Sequence, residues 1–118
     1  MANAGLFLGW GDPVRGREQP GLKVLGEGLE YYARLEQEGR IEGFETVFLE
    51  PHGGDLSGFI LLRGSEEQMD AVQRDDEFQR ITVRATMIVE SLGVVRAALG
   101  DGIGRQVELF QEAIGELG

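Results

Sequence analysis

The sequence predicts an α+β fold. Four antiparallel strands and two covering helices run in the order strand, helix, strand, strand, helix, strand, and a further helix follows. Three observations carry this. The apolar run Phe59 to Leu62 has the length of a buried strand and stops at Gly64-Ser65. Ser65, followed three positions later by Gln68, is a capping-box pattern that opens a helix. Phe78, Ile81, Ala85, Ile88 and Leu92 then recur at alternating three- and four-residue spacings, as one face of a helix requires.

The other elements follow in chain order. Gly5 to Gly11 holds Leu6, Phe7, Leu8 and Trp10 between glycines and predicts the first strand. A loop with two prolines leads to a helix from about Pro20 to Glu38. Its stripe is Leu22, Leu25, Leu29 and Tyr32, widened by Val24, Tyr31 and Leu35. Pro20 suits an early helical position and Gly39 the end. Gly26 and Gly28 inside it each cost about 1 kcal/mol against Ala; either they allow close packing on the sheet or the helix is locally loose. Ile41 to Pro51 predicts the second strand, with Phe44 and Phe48 on one face and Val47 and Leu49 on the other. Pro51-His52-Gly53-Gly54-Asp55 is a hairpin loop, and the third strand covers Ser57 to Arg63. The helical pattern after Ser65 runs to Leu92-Gly93, interrupted at Asp75-Asp76-Glu77, which caps a second segment. Gly93 to Leu99 predicts the fourth strand. Asp101 introduces a last helix with the stripe Ile103, Val107, Phe110, Ile114 and Leu117. This is the split βαβ, ferredoxin-like order, βαββαβ with an extra helix. It is expected as a single domain over 1–118, with a core over 5–99 and the last helix over 102–117.

Composition sets bounds. At 118 residues, with 42% hydrophobic and 27% charged residues, the chain suits one soluble globular core. No apolar stretch approaches the roughly 20 residues that span a bilayer, and residues 1–5 lack the pattern of a signal peptide. There is no cysteine, so thiolate chemistry and disulfides are excluded and a cytoplasmic protein is expected. A formal charge of -10 without a basic cluster argues against nucleic-acid binding. The same acidity serves solubility, or an acidic docking surface.

The strands are apolar on both sides. A sheet with helices on one face should alternate apolar with polar residues. Here Phe59 and Leu61 oppose Ile60 and Leu62, and Val94 opposes Val95. The second face needs cover. The last helix could supply part of it; a second subunit is the simpler cover, so a homodimer is expected.

With these features on hand, the chain resembles the dimeric α+β barrel superfamily over about Gly5 to Leu99. The resemblance is carried by Gly5-Leu-Phe-Leu-Gly-Trp10, by Gly39-Arg-Ile-Glu-Gly-Phe-Glu45, and most by Gly58-Phe-Ile-Leu-Leu-Arg-Gly-Ser65 leading to Asp76-Glu-Phe78. It implies two ferredoxin-like protomers packed sheet on sheet, with ligands between sheet and helices. Its members include antibiotic-biosynthesis monooxygenases, haem-degrading enzymes, dehalogenases, isomerases and YCII-related proteins. YCII-related proteins place a His near an Asp after the first strand, where this chain has Trp10 and Asp12. The Asn, Trp and His of the haem-degrading group have no match in position, since Trp10 falls on the first strand and His52 in a hairpin. Neither site is carried over.

His52 is the only histidine. It is the default general base, with Asp55 near enough in sequence to orient it; an exposed hairpin histidine is the plainer alternative. Trp10, Tyr31 and Tyr32 are candidates to line a ligand pocket, against a role as core residues with polar tips. Arg63 and Arg96 sit in apolar strands and need partners. Glu50, a ligand anion or an interface carboxylate could serve. Asp12, Arg15 and Arg17 could clamp an anion or be solvated surface. Arg80 and Arg84 share a helical face with Glu77. Dinucleotide, P-loop, HExxH and GxSxG patterns are absent. One His and no Cys make a zinc site unexpected, and no tightly held cofactor is expected.

Three readings follow. The first is a cytoplasmic homodimer that binds a small organic ligand between sheet and helices. The second is a cofactor-independent monooxygenase, cyclase or isomerase on that scaffold, with His52 as base. The third is an acidic protein-interaction module. A cavity lined by Trp10, Tyr31 or Tyr32 and reached by His52 favours the second.

Overall fold

The apolar alternation near the N-terminus forms strand β1 (Ala4–Trp10), which lies inside the sheet. The computed structural model describes residues 2–118. After β1 come α1 (Glu18–Gln37), β2 (Gly43–Phe48), β3 (Gly58–Gly64), α2 (Glu66–Arg74), α3 (Asp76–Thr86), β4 (Gly93–Ala98) and α4 (Asp101–Leu117). The sheet order is β2-β3-β1-β4, and every neighbouring pair is antiparallel. This is the expected βαββαβ arrangement with a C-terminal helix.

Register decides which side chains meet. Leu6 stands opposite Leu62, and Leu8 opposite both Ile60 and Val94. Ala4, Leu6, Leu8, Ile60 and Leu62 therefore share one face, and all are buried. The helices complete this core with Val24, Tyr31, Tyr32 and Leu35 from α1, Met69 and Val72 from α2, and Phe78 and Ile81 from α3. Ile41, just before β2, and Ile88, just after α3, close it.

The local signals between β3 and β4 fold as written, with one correction. The Ser65 hydroxyl accepts from the Gln68 amide, and the Gln68 side chain accepts from the Ser65 amide. Asp75 is extended (ψ 128°), and its carboxylate accepts from the Glu77 amide, so it ends α2 and caps α3. The helical stripe does not reach Leu92. From Met87 onward the backbone turns to pair with the loop after β1: Val14 N–H donates to Ile88 O, Glu90 N–H to Asp12 O, and Gly11 N–H to Glu90 O. Ile88 keeps its buried place without helical backbone. β2 likewise spans Gly43–Phe48 rather than Ile41 to Pro51, although Leu49 N–H still donates to Ser57 O just past its end.

Charged pairs tie α1 to α3. Glu77 pairs with Arg34 at 2.7 Å and Arg84 with Glu27 at 2.6 Å. The expected network of Arg80 and Arg84 with Glu77 on one helix is replaced by these bridges between helices. Deeper in, the Tyr31 hydroxyl donates to Asp75 at 2.5 Å, and Arg40 lies 3.1 Å from the same carboxylate.

The far face of the sheet stays open. Phe7 and Phe59 stack at 5.0 Å between centroids. Val47 and Leu61 are partly exposed beside them, and Val95 is 57% exposed. α4 leaves this face uncovered. Gly102 alone in that helix is partly buried, and Ile103, Val107, Phe110, Ile114 and Leu117 are all exposed. The radius of gyration of 16.1 Å exceeds the about 13–14 Å expected for this length, as a helix standing off the body requires. Among the described residues, no helix is long and apolar enough to cross a membrane.

The Asp75 cluster gives a prediction. The Tyr31 hydrogen bond, then the Glu77 amide and Arg40, hold this carboxyl below the ordinary carboxylate value, against partial burial. A depressed folded-state pKa stabilises above the unfolded value, and that contribution fades as pH falls through the folded one. Asp75→Asn keeps a competent cap and removes the charge. It should lower stability by about 1–2 kcal/mol at pH 7. In urea denaturation, the gap from wild type should shrink as pH is taken below about 4.

Candidate functional site

Between the helix-facing side of the sheet and the pair α1 and α3 lies a cavity of about 460 Å³. Its floor is Leu8 and Ile60, with Trp10 at the end of β1. α1 supplies Val24, Leu25, Gly28 and Tyr32 to the wall, and α3 supplies Ile81, Thr82 and Ala85. Small residues make the room. At Gly28 an added Cβ would lie 3.6 Å from Tyr32 Cε2 and 3.8 Å from Ile81 Cγ2, so the two helices meet at van der Waals range there. The contact at Gly28 is with α3 rather than with the sheet, and nothing lies within 4 Å of a Cβ at Gly26.

The mouth carries large apolar side chains. Leu22 and Phe48 are each 65% exposed, and Leu49 and Leu92 stand beside them. Leu22, expected in the buried stripe, is thus at the rim. Two loops fix the rim by backbone hydrogen bonds: Ser57 N–H donates to Trp10 O, and residues 11–14 pair with residues 88–90. Gly11 suits this close crossing, since a Cβ would lie 3.0 Å from Asp55 O and 3.1 Å from Glu90 O, tighter than ordinary contact.

The wall is poor in charge. Among the described residues, the ionisable side chains lining it are Glu18 and Tyr32, and Glu18 is exposed at the mouth. Burial pushes the Tyr32 phenol well above its ordinary range. The Tyr31 phenol is raised too, by burial and then by its hydrogen bond to Asp75. The two adjacent tyrosines thus differ: Tyr31 donates to Asp75 and does not line the cavity. Tyr32 lines it, with its ring 6.0 Å from that of Phe44.

The remaining expected site residues lie elsewhere. His52 is exposed in the β2–β3 loop and outside the cavity lining. Its Nδ1 accepts from the Gly54 amide at 3.2 Å, so its Nε2 carries the proton given to Leu56 O at 2.8 Å. Neither ring nitrogen is left for a substrate proton, and Asp55 makes no hydrogen bond to it. Arg63 is on the open face and pairs with Glu45, not Glu50. Arg96 lies toward α2 and binds Asp70 at 2.6 Å and Glu66 at 2.9 Å. Asp12 accepts from the Ser57 hydroxyl at 3.2 Å. Of the candidate residues singled out from the sequence, Trp10 and Tyr32 line the cavity. Among the described residues, no three His, Asp or Glu side chains gather to hold a metal ion.

Sequence reasoning passed over Thr82. It follows Phe78 by four residues and precedes Ala85 by three, so the helical period places it on the inward stripe. Its Oγ1 is closed off by protein atoms and has no hydrogen-bond partner. A buried hydroxyl without a partner destabilises, and removing it should relieve that penalty. Thr82→Val should raise unfolding stability by about 1 kcal/mol, read as a shift of the urea midpoint at unchanged slope.

Comparison with known proteins places the architecture. No family model matches the sequence, and no curated protein is similar to it. Solved structures do match. A dimeric ferredoxin-like protein of unknown function from Jannaschia sp. CCS1 superposes with a TM-score of 0.62 at 12% identity, over 81% of this chain and 99% of that one. A protein described as an antibiotic biosynthesis monooxygenase from Bacteroides thetaiotaomicron VPI-5482 gives 0.59 at 16% identity, over 82% and 90%. SnoaB, a cofactor-independent oxygenase from Streptomyces nogalater, gives 0.54 at 11% identity, over 84% and 95%. At such identities the likeness is one of fold, and the fold of this chain is ferredoxin-like, as the Jannaschia protein is described.

Proposed function

We propose that this protein binds a small apolar organic molecule between its sheet and helices, and that it does so as a homodimer. The cavity carries the first half. A space of about 460 Å³ lies within the range of small-molecule sites. Its rim exposes Leu22 and Phe48, which a bound molecule would shield from water. Trp10 and Tyr32 are the ligand-contacting residues of this reading.

The second half rests on the sheet. Phe7, Val47, Phe59, Leu61 and Val95 form an apolar face that the chain's own helices do not cover. A face of this kind is an association site. The Jannaschia protein, which shares the fold, is described as dimeric, which supports the same arrangement for this chain.

The oxygenase, cyclase or isomerase reading asks for a base within reach of the ligand. Glu18 is at the mouth, the Tyr32 phenol is held protonated, and His52 is engaged by backbone. The binding reading is therefore preferred, and it assigns no catalytic residue.

Trp10 is the only tryptophan, so its emission reports on the cavity. Titration with 1-aminoanthracene should change that emission saturably; a change that never saturates up to the solubility limit sinks the binding reading. In sedimentation equilibrium at micromolar concentration, the wild type should show twice the chain mass. Phe59→Glu, which puts a charge on the open face, should shift it to the monomer. A monomeric wild type removes the homodimer.

A further inference from the structure

We propose that the cavity selects uncharged ligands bearing a carbonyl or hydroxyl oxygen, and that the Tyr32 hydroxyl donates a hydrogen bond to that oxygen. This rests on the cavity being a ligand site. Tyr32 is 2% exposed, and its hydroxyl has no hydrogen-bond partner among the described residues; burial alone raises its pKa. Buried tyrosines ordinarily find a partner for this group. The neighbouring Tyr31 does so with Asp75.

Tyr32 also differs from Thr82, the other partnerless hydroxyl in the wall. Thr82 Oγ1 is sealed by protein atoms, whereas the Tyr32 hydroxyl is not among the sealed atoms. Tyr32 lines the cavity and is only 2% exposed, so its partnerless hydroxyl belongs to a residue on the border of that space. A phenol that stays protonated is a donor, so the ligand atom opposite it is an acceptor oxygen.

The surroundings set the charge of the ligand. Among the described residues, no Arg, Lys or His lines the cavity, and its one carboxylate, Glu18, is exposed at the entrance. An anion would lose its hydration without gaining a cation, and would pass a like charge on the way in. A cation would find no acceptor at depth beyond the phenol itself. A neutral oxygen meets neither obstacle, and the apolar wall takes the rest of the molecule.

Three probes of nearly one shape test this by titration calorimetry: 2-acetylnaphthalene, 2-ethylnaphthalene and 2-naphthoate. Tyr32→Phe keeps the ring and removes the hydroxyl. It should weaken the ketone about 3- to 10-fold and leave the hydrocarbon within about twofold. The wild type should bind the naphthoate at least about tenfold more weakly than the ketone. Equal effects of the variant on ketone and hydrocarbon, or naphthoate binding as tight as the ketone, overturn the selectivity while leaving a ligand cavity. Failure of all three to bind the wild type overturns the cavity reading as well. A second measurement needs no variant. The carbonyl stretch of bound 2-acetylnaphthalene should lie at lower wavenumber than in hexane, and a stretch at the hexane position overturns the hydrogen bond.

Discussion

The pleat of β1 governs the rest of the molecule. Successive side chains on a strand point to opposite faces. Leu6 and Leu8 thus go to the helices, and Phe7 goes the other way. β3 repeats the pattern beside it, with Ile60 and Leu62 buried and Phe59 and Leu61 half-buried. Two helical connections suffice to cover one face of four strands. They leave the other apolar and uncovered, so the register that builds the core also builds the open surface.

The cavity arises from a second constraint, the way α1 and α3 approach the sheet. They are held together at two heights by Arg34–Glu77 and Arg84–Glu27. Further in, Tyr31 is anchored to the cap of α3 by Asp75. Toward the start of α1, the helix offers Gly21, and α3 answers with Ala85. Side chains of that size do not fill the layer. Beyond them Leu22 and Phe48 stand at the rim without closing it. The same pair of helices is closed at one end by tyrosine and carboxylate and left open at the other.

Much of the architecture was legible because its signals are local. Ser65 and Gln68 are three residues apart, and their reciprocal hydrogen bonds need no tertiary context. Asp75 announces the break between α2 and α3 for the same reason. Double-sided strands were readable as Phe59 to Leu62 without a partner strand in view. What escaped depends on residues distant in sequence. The end of α3 at Thr86 is imposed by hydrogen bonds to residues 12–14, which no periodicity in 78–92 reveals. Glu77 finds Arg34 across 43 positions rather than an arginine on its own helix. The site was half legible. Trp10 and Tyr32 carry aromatic bulk at strand and helix positions that both line the cavity. His52 drew attention by its chemistry alone, and its ring is spent on the backbone of its own loop. Thr82 hid inside a stripe counted by its apolar members.

α4 has the composition of an interior helix and the surroundings of a surface one. In proteins most of a helix's stability comes from packing its apolar face against the rest of the fold. Five apolar side chains along its length have no such packing, and Gly104 and Gly115 weaken it further. Its winding is thus thermodynamically separable from that of the body, and it can fray while the sheet and the other helices hold. Any surface that shelters the stripe from Ile103 to Leu117 would tighten the coil as it docks, making order in this tail a gauge of company.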